Sequence, residues 1–164
     1  MDPQISPSDA RSRIQVRFAR AVDAARLAEI DSQPAVYHWL NLPGQTTTLA
    51  DAEAWIRRPD QRCAVVVDAQ DLVVGTITLR HTAGETEGVC LALKVDAQCW
   101  RQGNGSTLLR WLLDAADALS LERVYLAVHS ENAGAIALYA QHGFIYDGQD
   151  SHGCDSMVRY RGLG

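Results

Sequence analysis

The sequence predicts a mixed α/β domain. Three features carry that expectation: short apolar runs with strand-like patterning recur along the chain, a leucine-striped helix follows a Gly-x-Gly turn, and the late strands are separated by helices where the earlier ones form a tight meander. From residue 14, Ile14, Val16 and Phe18 alternate with Gln15 and Arg17, the period of a first strand. A helix over 24–31 follows, with Leu27 and Ile30 inward and Asp23 placed to accept from the free amides at its start. Residues 33–48 hold Pro34, Pro43, Gly44 and three threonines and predict a loop, into which Tyr37, His38, Trp39 and Leu40 are set. A second helix over 50–58 stops at Pro59.

Residues 62–68 and 72–80 read as an antiparallel hairpin turning at Gln70-Asp71, and Ala64-Val65-Val66-Val67 is apolar on both faces. A strand over 88–95 leads to a helix over 105–119 whose Leu108, Leu109, Leu112, Leu113, Ala116 and Leu119 share one stripe. In 123–128, Val124, Leu126 and Val128 alternate with Tyr125 and Ala127, as in a strand. A helix over 133–142 closes at Gly143, and strands over 144–146 and 157–160 finish the sheet. The expected order is β-α-α-β-β-β-α-β-α-β-β.

The 164 residues carry 15 Lys+Arg against 20 Asp+Glu, a net charge of −5. A chain of this length buries roughly 68–70% of its extended surface, enough for one core without disulfides or metals. The acidic balance and the lack of a long basic run argue against nucleic-acid and anionic-membrane partners. Nowhere do 18 consecutive apolar residues occur. Cys63, Cys90, Cys99 and Cys154 match no zinc-ligand spacing, and three of them stand in apolar surroundings, which predicts reduced core thiols and a cytoplasmic location. Residues 1–13 predict a flexible tail and 14–164 the domain.

The chemistry concentrates after the 88–95 strand, where Gly103-Asn104-Gly105 opens a helix. Unpaired amides at a helix start attract anions, and glycines let them approach closely, so a phosphate group is the inference. A dinucleotide fingerprint would need a glycine where Leu108 stands and an acidic residue where Val128 and His129 stand; a nucleotide-triphosphate loop would need Gly-Lys, which does not occur. A second stretch runs from Val128-His129 through Asn132, Ala135-Ile136 and Leu138-Tyr139 to Gly143-Phe144.

With both stretches the sequence resembles the GNAT superfamily of N-acetyltransferases: the Gly103-x-Gly105 turn is similar to its acetyl-CoA loop, and Asn132 to Phe144 to its other signature. The resemblance extends from Ile14 over nearly the whole chain. Trp100 departs from the Gln or Arg common at that place of the loop, although tryptophan occurs there in branches resembling ribosomal-protein acetyltransferases. The resemblance implies a single domain whose fourth and fifth strands splay apart, with acetyl-CoA as co-substrate lying in the gap. Main-chain groups of Leu93 and Val95 would pair with pantetheine, and the amides of Arg101, Gln102, Gly103, Asn104, Gly105 and Ser106 would hold the diphosphate. Asn132 would touch the cofactor or simply cap its helix.

Tyr139 would give a proton to the departing thiolate, unless it is only a core tyrosine. Glu87, on the strand parity of Val89, Leu91 and Leu93, is a candidate water-mediated base, and His129 its competitor. An acyl-cysteine route through Cys90 or Cys99 is disfavoured, because no His stands near either in sequence. Tyr37, Trp39 and His129 are the candidate acceptor-binding residues. No metal is expected. The acceptor expected first is the primary amine of a small, amino-acid-like molecule; a protein N-terminus is the second reading, and a non-catalytic acyl-CoA-binding module the third. A homodimer is left open.

Overall fold

The computed structural model describes residues 14–39, 47–150 and 153–162. The 1–13 tail, and Leu40, Pro43 and Gly44 of the expected loop, lie outside them. β1 (Gln15–Phe18), β2 (Gln61–Val67), β3 (Val73–Arg80), β4 (Glu87–Val95), β5 (Arg123–His129), β6 (Ile145–Gln149) and β7 (Cys154–Tyr160) form one sheet in the order β1-β2-β3-β4-β5-β7-β6. Every adjacent pair is antiparallel except β4 and β5, which are parallel. The helices are α1 (Ala24–Asp31), α2 (Pro34–Tyr37), α3 (Leu49–Arg57), α4 (Asn104–Ala118) and α5 (Ala133–Gln141). Among the described residues no helix is long and apolar enough to cross a membrane.

The doubly apolar run in β2 is explained by a core on each face. Ala64 and Val66 pack with Leu108, Leu109 and Leu112 of α4 and with Tyr139 of α5, whereas Val65 and Val67 pack with Leu27 and Ile30 of α1 and Ala52 of α3. All four of these β2 side chains are buried. The hairpin to β3 is sealed by Asp68, whose Oδ1 accepts from Gln70 N at 2.9 Å and Leu72 N at 3.0 Å, leaving Asp71 at φ 60°.

Two local expectations are corrected. Residues 33–48 are not all loop: Pro34 supplies the fixed φ of a helix's first turn and starts α2. Asp23 does not cap α1. Its carboxylate accepts from Arg17 at 2.7 and 2.9 Å and from Arg20 N at 2.7 Å, closing the turn before that helix. Burial would raise the Asp23 pKa, but these donors outweigh it and hold the acid below its ordinary value.

Two irregularities in β4 open the middle of the sheet. Its pairing with β3 slips between Thr76↔Lys94 and Thr78↔Leu91, so two β4 residues face one on β3, and Ala92 takes the left-handed φ of 56°. The bulge reverses the facing of the strand: Cys90 before it, and Leu93 and Val95 after it, all meet the α4–α5 core. Pairing with β5 is brief, running through Glu87↔Arg123, Gly88↔Val124 and Val89↔Tyr125 and no further. β5 is meanwhile held along its whole length by β7. Beyond Val89, β4 and β5 therefore diverge and leave a wedge.

Candidate active site

The wedge opens into a cleft of about 750 Å³. Its walls are the second half of β4, the end of β5, the start of α4 and one face of α5, with Val36 and Trp39 over one end. The turn between β4 and α4 is fixed by a polar network. Asp96 Oδ1 accepts from Gln98 N at 2.9 Å, Arg26 Nη2 meets Asp96 Oδ2 at 2.5 Å, and Gln33 Oε1 accepts from Ala97 N at 2.9 Å. Trp100 donates its indole N–H to Val95 O at 2.8 Å, pinning the loop to the end of β4. That is the structural consequence of the departure from Gln or Arg.

From there the backbone turns through two left-handed residues, Arg101 at φ 62° and Gly103 at φ 82°. After Trp100, the next backbone N–H taken up by a described residue is that of Thr107, which donates to Gly103 O at 3.0 Å. The amides from Arg101 to Ser106 thus have no partner among the described residues, at the positive end of a 15-residue helix, where an anion is favoured. Gly103 leaves open space where a Cβ would stand, and a Cβ on Gly105 would come 3.1 Å from Leu138 Cδ2, so α4 and α5 meet closely here. The Asn104 side chain is buried, donates to Cys99 O at 3.2 Å and leaves Oδ1 without a partner. A long phosphate-bearing ligand with amides in its arm fits this combination: free donors for the charge, an unpaired strand edge and an orphan acceptor.

Tyr139 lines the cleft from α5, only 8% exposed, its ring edge-on to Phe144 at 5.8 Å. Its hydroxyl bonds to no described residue and is not sealed from the cleft. Burial, with Cys90 nearby, drives its pKa well above the ordinary phenol value, so it remains protonated. Burial likewise pushes the Cys90 thiol up to about 12, the opposite of what a nucleophilic cysteine needs. Asn132 both caps α5, accepting from Ala135 N at 3.2 Å, and faces the cleft.

At the far end Trp39 stacks edge-on against His129, ring centres 5.4 Å apart. His129 Nδ1 accepts from Glu131 N at 3.2 Å, so the neutral ring carries its proton on Nε2. Lys94 lines this region with its Nζ 2.6 Å from Asp31 Oδ1, both side chains mostly buried. Among the described residues no carboxylate lines the cleft.

Of the residues singled out from sequence, Leu93, Val95, Arg101, Gly103, Asn104, Gly105, Ser106, Asn132, Tyr139, Trp39 and His129 all meet on the cleft. Gln102 is exposed and Tyr37 only half-buried, and neither side chain lines it; buried Val36 faces the cleft in place of Tyr37. Glu87 is at the closed end of the β4–β5 pair, 3.4 Å from Arg123 Nη1. It stands on the face opposite Gly88 and Cys90 by strand alternation, and the bulge at Ala92 moves Leu93 onto the Cys90 face, breaking the parity that related Glu87 to Leu93. Sequence reasoning missed Lys94, which no motif contains, and the buried role of Asn104, which follows only from the path of the loop.

An α/β sheet split between two parallel strands, with unpartnered amides and a protonated tyrosine lining the split, defines a group-transferring enzyme for a long anionic co-substrate. Residues 25–144 match the Acetyltransferase (GNAT) family, and the chain belongs to that family: it is an acetyl-CoA-dependent N-acetyltransferase. It is 28% identical over 145 residues to the L-amino acid N-acetyltransferase AaaT of Escherichia coli strain K12, covering 84% of this chain and 86% of that protein. Its fold is that of the spermidine N-acetyltransferase of Vibrio cholerae, solved with CoA and spermine (TM-score 0.78, 20% identity, 93% of this chain and 98% of that one). It is equally that of YncA of Salmonella typhimurium, solved with acetyl-CoA (TM-score 0.77, 22% identity, 90% and 94%).

Proposed function

We propose that this enzyme transfers the acetyl group of acetyl-CoA directly to the primary amine of a small, amino-acid-like molecule. The observation that carries the reading is one cleft whose lining brings together the turn of 101–106, Tyr139 and the aromatic pair Trp39 and His129. The activity of the Escherichia coli relative, on L-amino acids, supports the acceptor class. Four free cysteines accord with a reducing cytoplasm.

When bound, acetyl-CoA supplies an activated thioester carbonyl and a thiol leaving group. The amides of 101–106 hold the diphosphate charge, and the β5-facing edge of β4 at Leu93 and Val95 orients the pantetheine arm as an added strand would. The Val95 carbonyl already accepts the Trp100 indole N–H, so only its second lone pair is left for that task. The phenol of Tyr139, kept neutral by burial, moves its proton to the departing sulfur.

No side chain on the described cleft wall is poised as a base. Glu87 faces away and is paired with Arg123, and the free nitrogen of His129 carries a proton. A peptide's α-amino group has a pKa of about 7.7–8.0, and the neighbouring carboxylate of a free amino acid holds that proton more tightly. Leaving bulk water for this cleft works in the opposite direction, favouring the neutral amine, which sheds its proton to solvent on entry.

The test is thiol release from acetyl-CoA across a panel of amino acids, polyamines and peptides, with products weighed by mass spectrometry. Acetylation of free amino acids is expected. Acetylation of peptide N-termini alone would replace the acceptor class. Acetyl-CoA binding without thiol release for any amine would leave a binding module and sink the proposal.

A further inference from the structure

His142 closes α5 at its C-terminal end and does not line the cleft, yet its Nε2 lies 2.9 Å from the Oγ of Ser106, which does. Ser106 stands in the first turn of α4, among the amides assigned to the diphosphate. The close approach of Gly105 to Leu138, one turn before His142 on α5, holds the two helix ends together. A serine hydroxyl has a single proton. If that proton goes to His142, Ser106 presents only lone pairs to an anion; if His142 is the donor, Ser106 can donate outward. An anion at the start of α4 therefore selects one of the two states of the histidine.

We propose that His142 is a positioning residue for co-substrate binding: by donating its Nε2–H to Ser106 Oγ it turns the serine proton toward the bound diphosphate. The inference rests on the placement of the diphosphate at Arg101–Ser106. Protonated His142 can only donate, so it enforces the productive arrangement, whereas neutral His142 divides between two tautomers. In the free protein, burial and then the charge of Arg110, one turn after Ser106 on the facing α4, hold His142 below its ordinary pKa. Apart from buried Tyr139, α5 itself carries no ionisable side chain. Arg110 is thus the charge that bears on the imidazole among the described residues. A bound anion offsets both effects and raises the His142 pKa. Affinity is then highest below the free-state pKa and declines as pH rises through the bound-state pKa.

The experiment is calorimetric titration with dephospho-CoA between about pH 5 and 8. This probe is chosen because the 3′-phosphate of CoA would itself titrate with a pKa of about 6. Wild type is expected to bind about fivefold more tightly at the acid end, the gain of a charge-assisted bond over a neutral one. His142→Phe should lose that slope and bind about fivefold more weakly at the acid end. His142→Gln, whose amide still donates, should keep most of the affinity with no slope. In turnover, His142→Phe should raise KM for acetyl-CoA and leave kcat at saturation unchanged. An identical slope in wild type and His142→Phe, with both folded by thermal melt, overturns the proposal. If Ser106→Ala and Gly103→Val also bind dephospho-CoA as wild type does, the placement of the diphosphate has failed; if they weaken binding, only the histidine's role has.

Discussion

Gly103 and Gly84 allow the cost of a left-handed residue to be separated from its function. Gly103 has φ 82° and Gly84 φ 88°, and a Cβ at either would have no neighbour within 4 Å. Alanine at either position meets no clash and differs from glycine only in backbone preference, worth about 1–2 kcal/mol in this region and offset in part by a stiffer unfolded chain. Each substitution is therefore expected to cost about 1 kcal/mol, or roughly 2–4 °C in Tm for a domain of this size. The functional outcomes diverge. Gly84 sits in the turn between β3 and β4, whereas relaxing Gly103 toward negative φ rotates the amides around it away from the anion. Losing one charge-assisted bond of about 1.5–3 kcal/mol weakens acetyl-CoA binding by about 10- to 150-fold. Differential scanning fluorimetry gives the first quantity and calorimetric titration the second. Equal loss of affinity in both variants, or in neither, would refute the assignment of these amides to the phosphates.

Tyr139→Phe removes no hydrogen bond to a described residue, so the fold should be kept while kcat falls by about 10²–10⁴, read as thiol release at saturating substrates. Cys90→Ala should leave kcat within about threefold, since a thiol with its pKa near 12 carries no acyl group. A burst of acyl-enzyme in wild type that vanishes in the variant would contradict this. The pH profile of kcat/KM should rise with deprotonation of the acceptor amine, shift when an acceptor of different pKa is used, and stay put in Glu87→Gln. In acid, Asp23 has a lowered folded pKa, so its contribution to stability is complete above the ordinary carboxylate value and is lost as pH falls through the folded one. Arg17→Leu, which removes its guanidinium partner, should flatten that part of the denaturation curve measured by circular dichroism.

Most of the strands were legible because their apolar period is set by local geometry, and β2 declared itself buried on both faces by its valine run. The stripe of α4 and the Gly-x-Gly turn before it were equally plain. Contacts between distant segments were not. Asp23 looked like a helix cap because its partner Arg17 belongs to the preceding strand, and Pro34 looked like a loop residue because proline both breaks helices and begins them. β7 begins at Cys154 rather than near Met157, since pairing with β5 through His129↔Cys154 overrides the polar stretch of Asp155 and Ser156. Glu87 was expected on the cleft face, and the structure sets it off that face for a single reason. Counting by twos from Leu93 back to Glu87 assumes a regular strand, and nothing in the residue types around Ala92 announces a bulge.

The chemistry depends most on the co-substrate lying in the wedge between β4 and β5. A crystal structure of the chain with acetyl-CoA tests this directly. The diphosphate should lie within about 3.2 Å of two or more of the amides from Arg101 to Ser106, with the thioester sulfur within hydrogen-bond reach of the Tyr139 hydroxyl. A complex in which the phosphates contact side chains elsewhere, or the sulfur lies away from Tyr139, would contradict it.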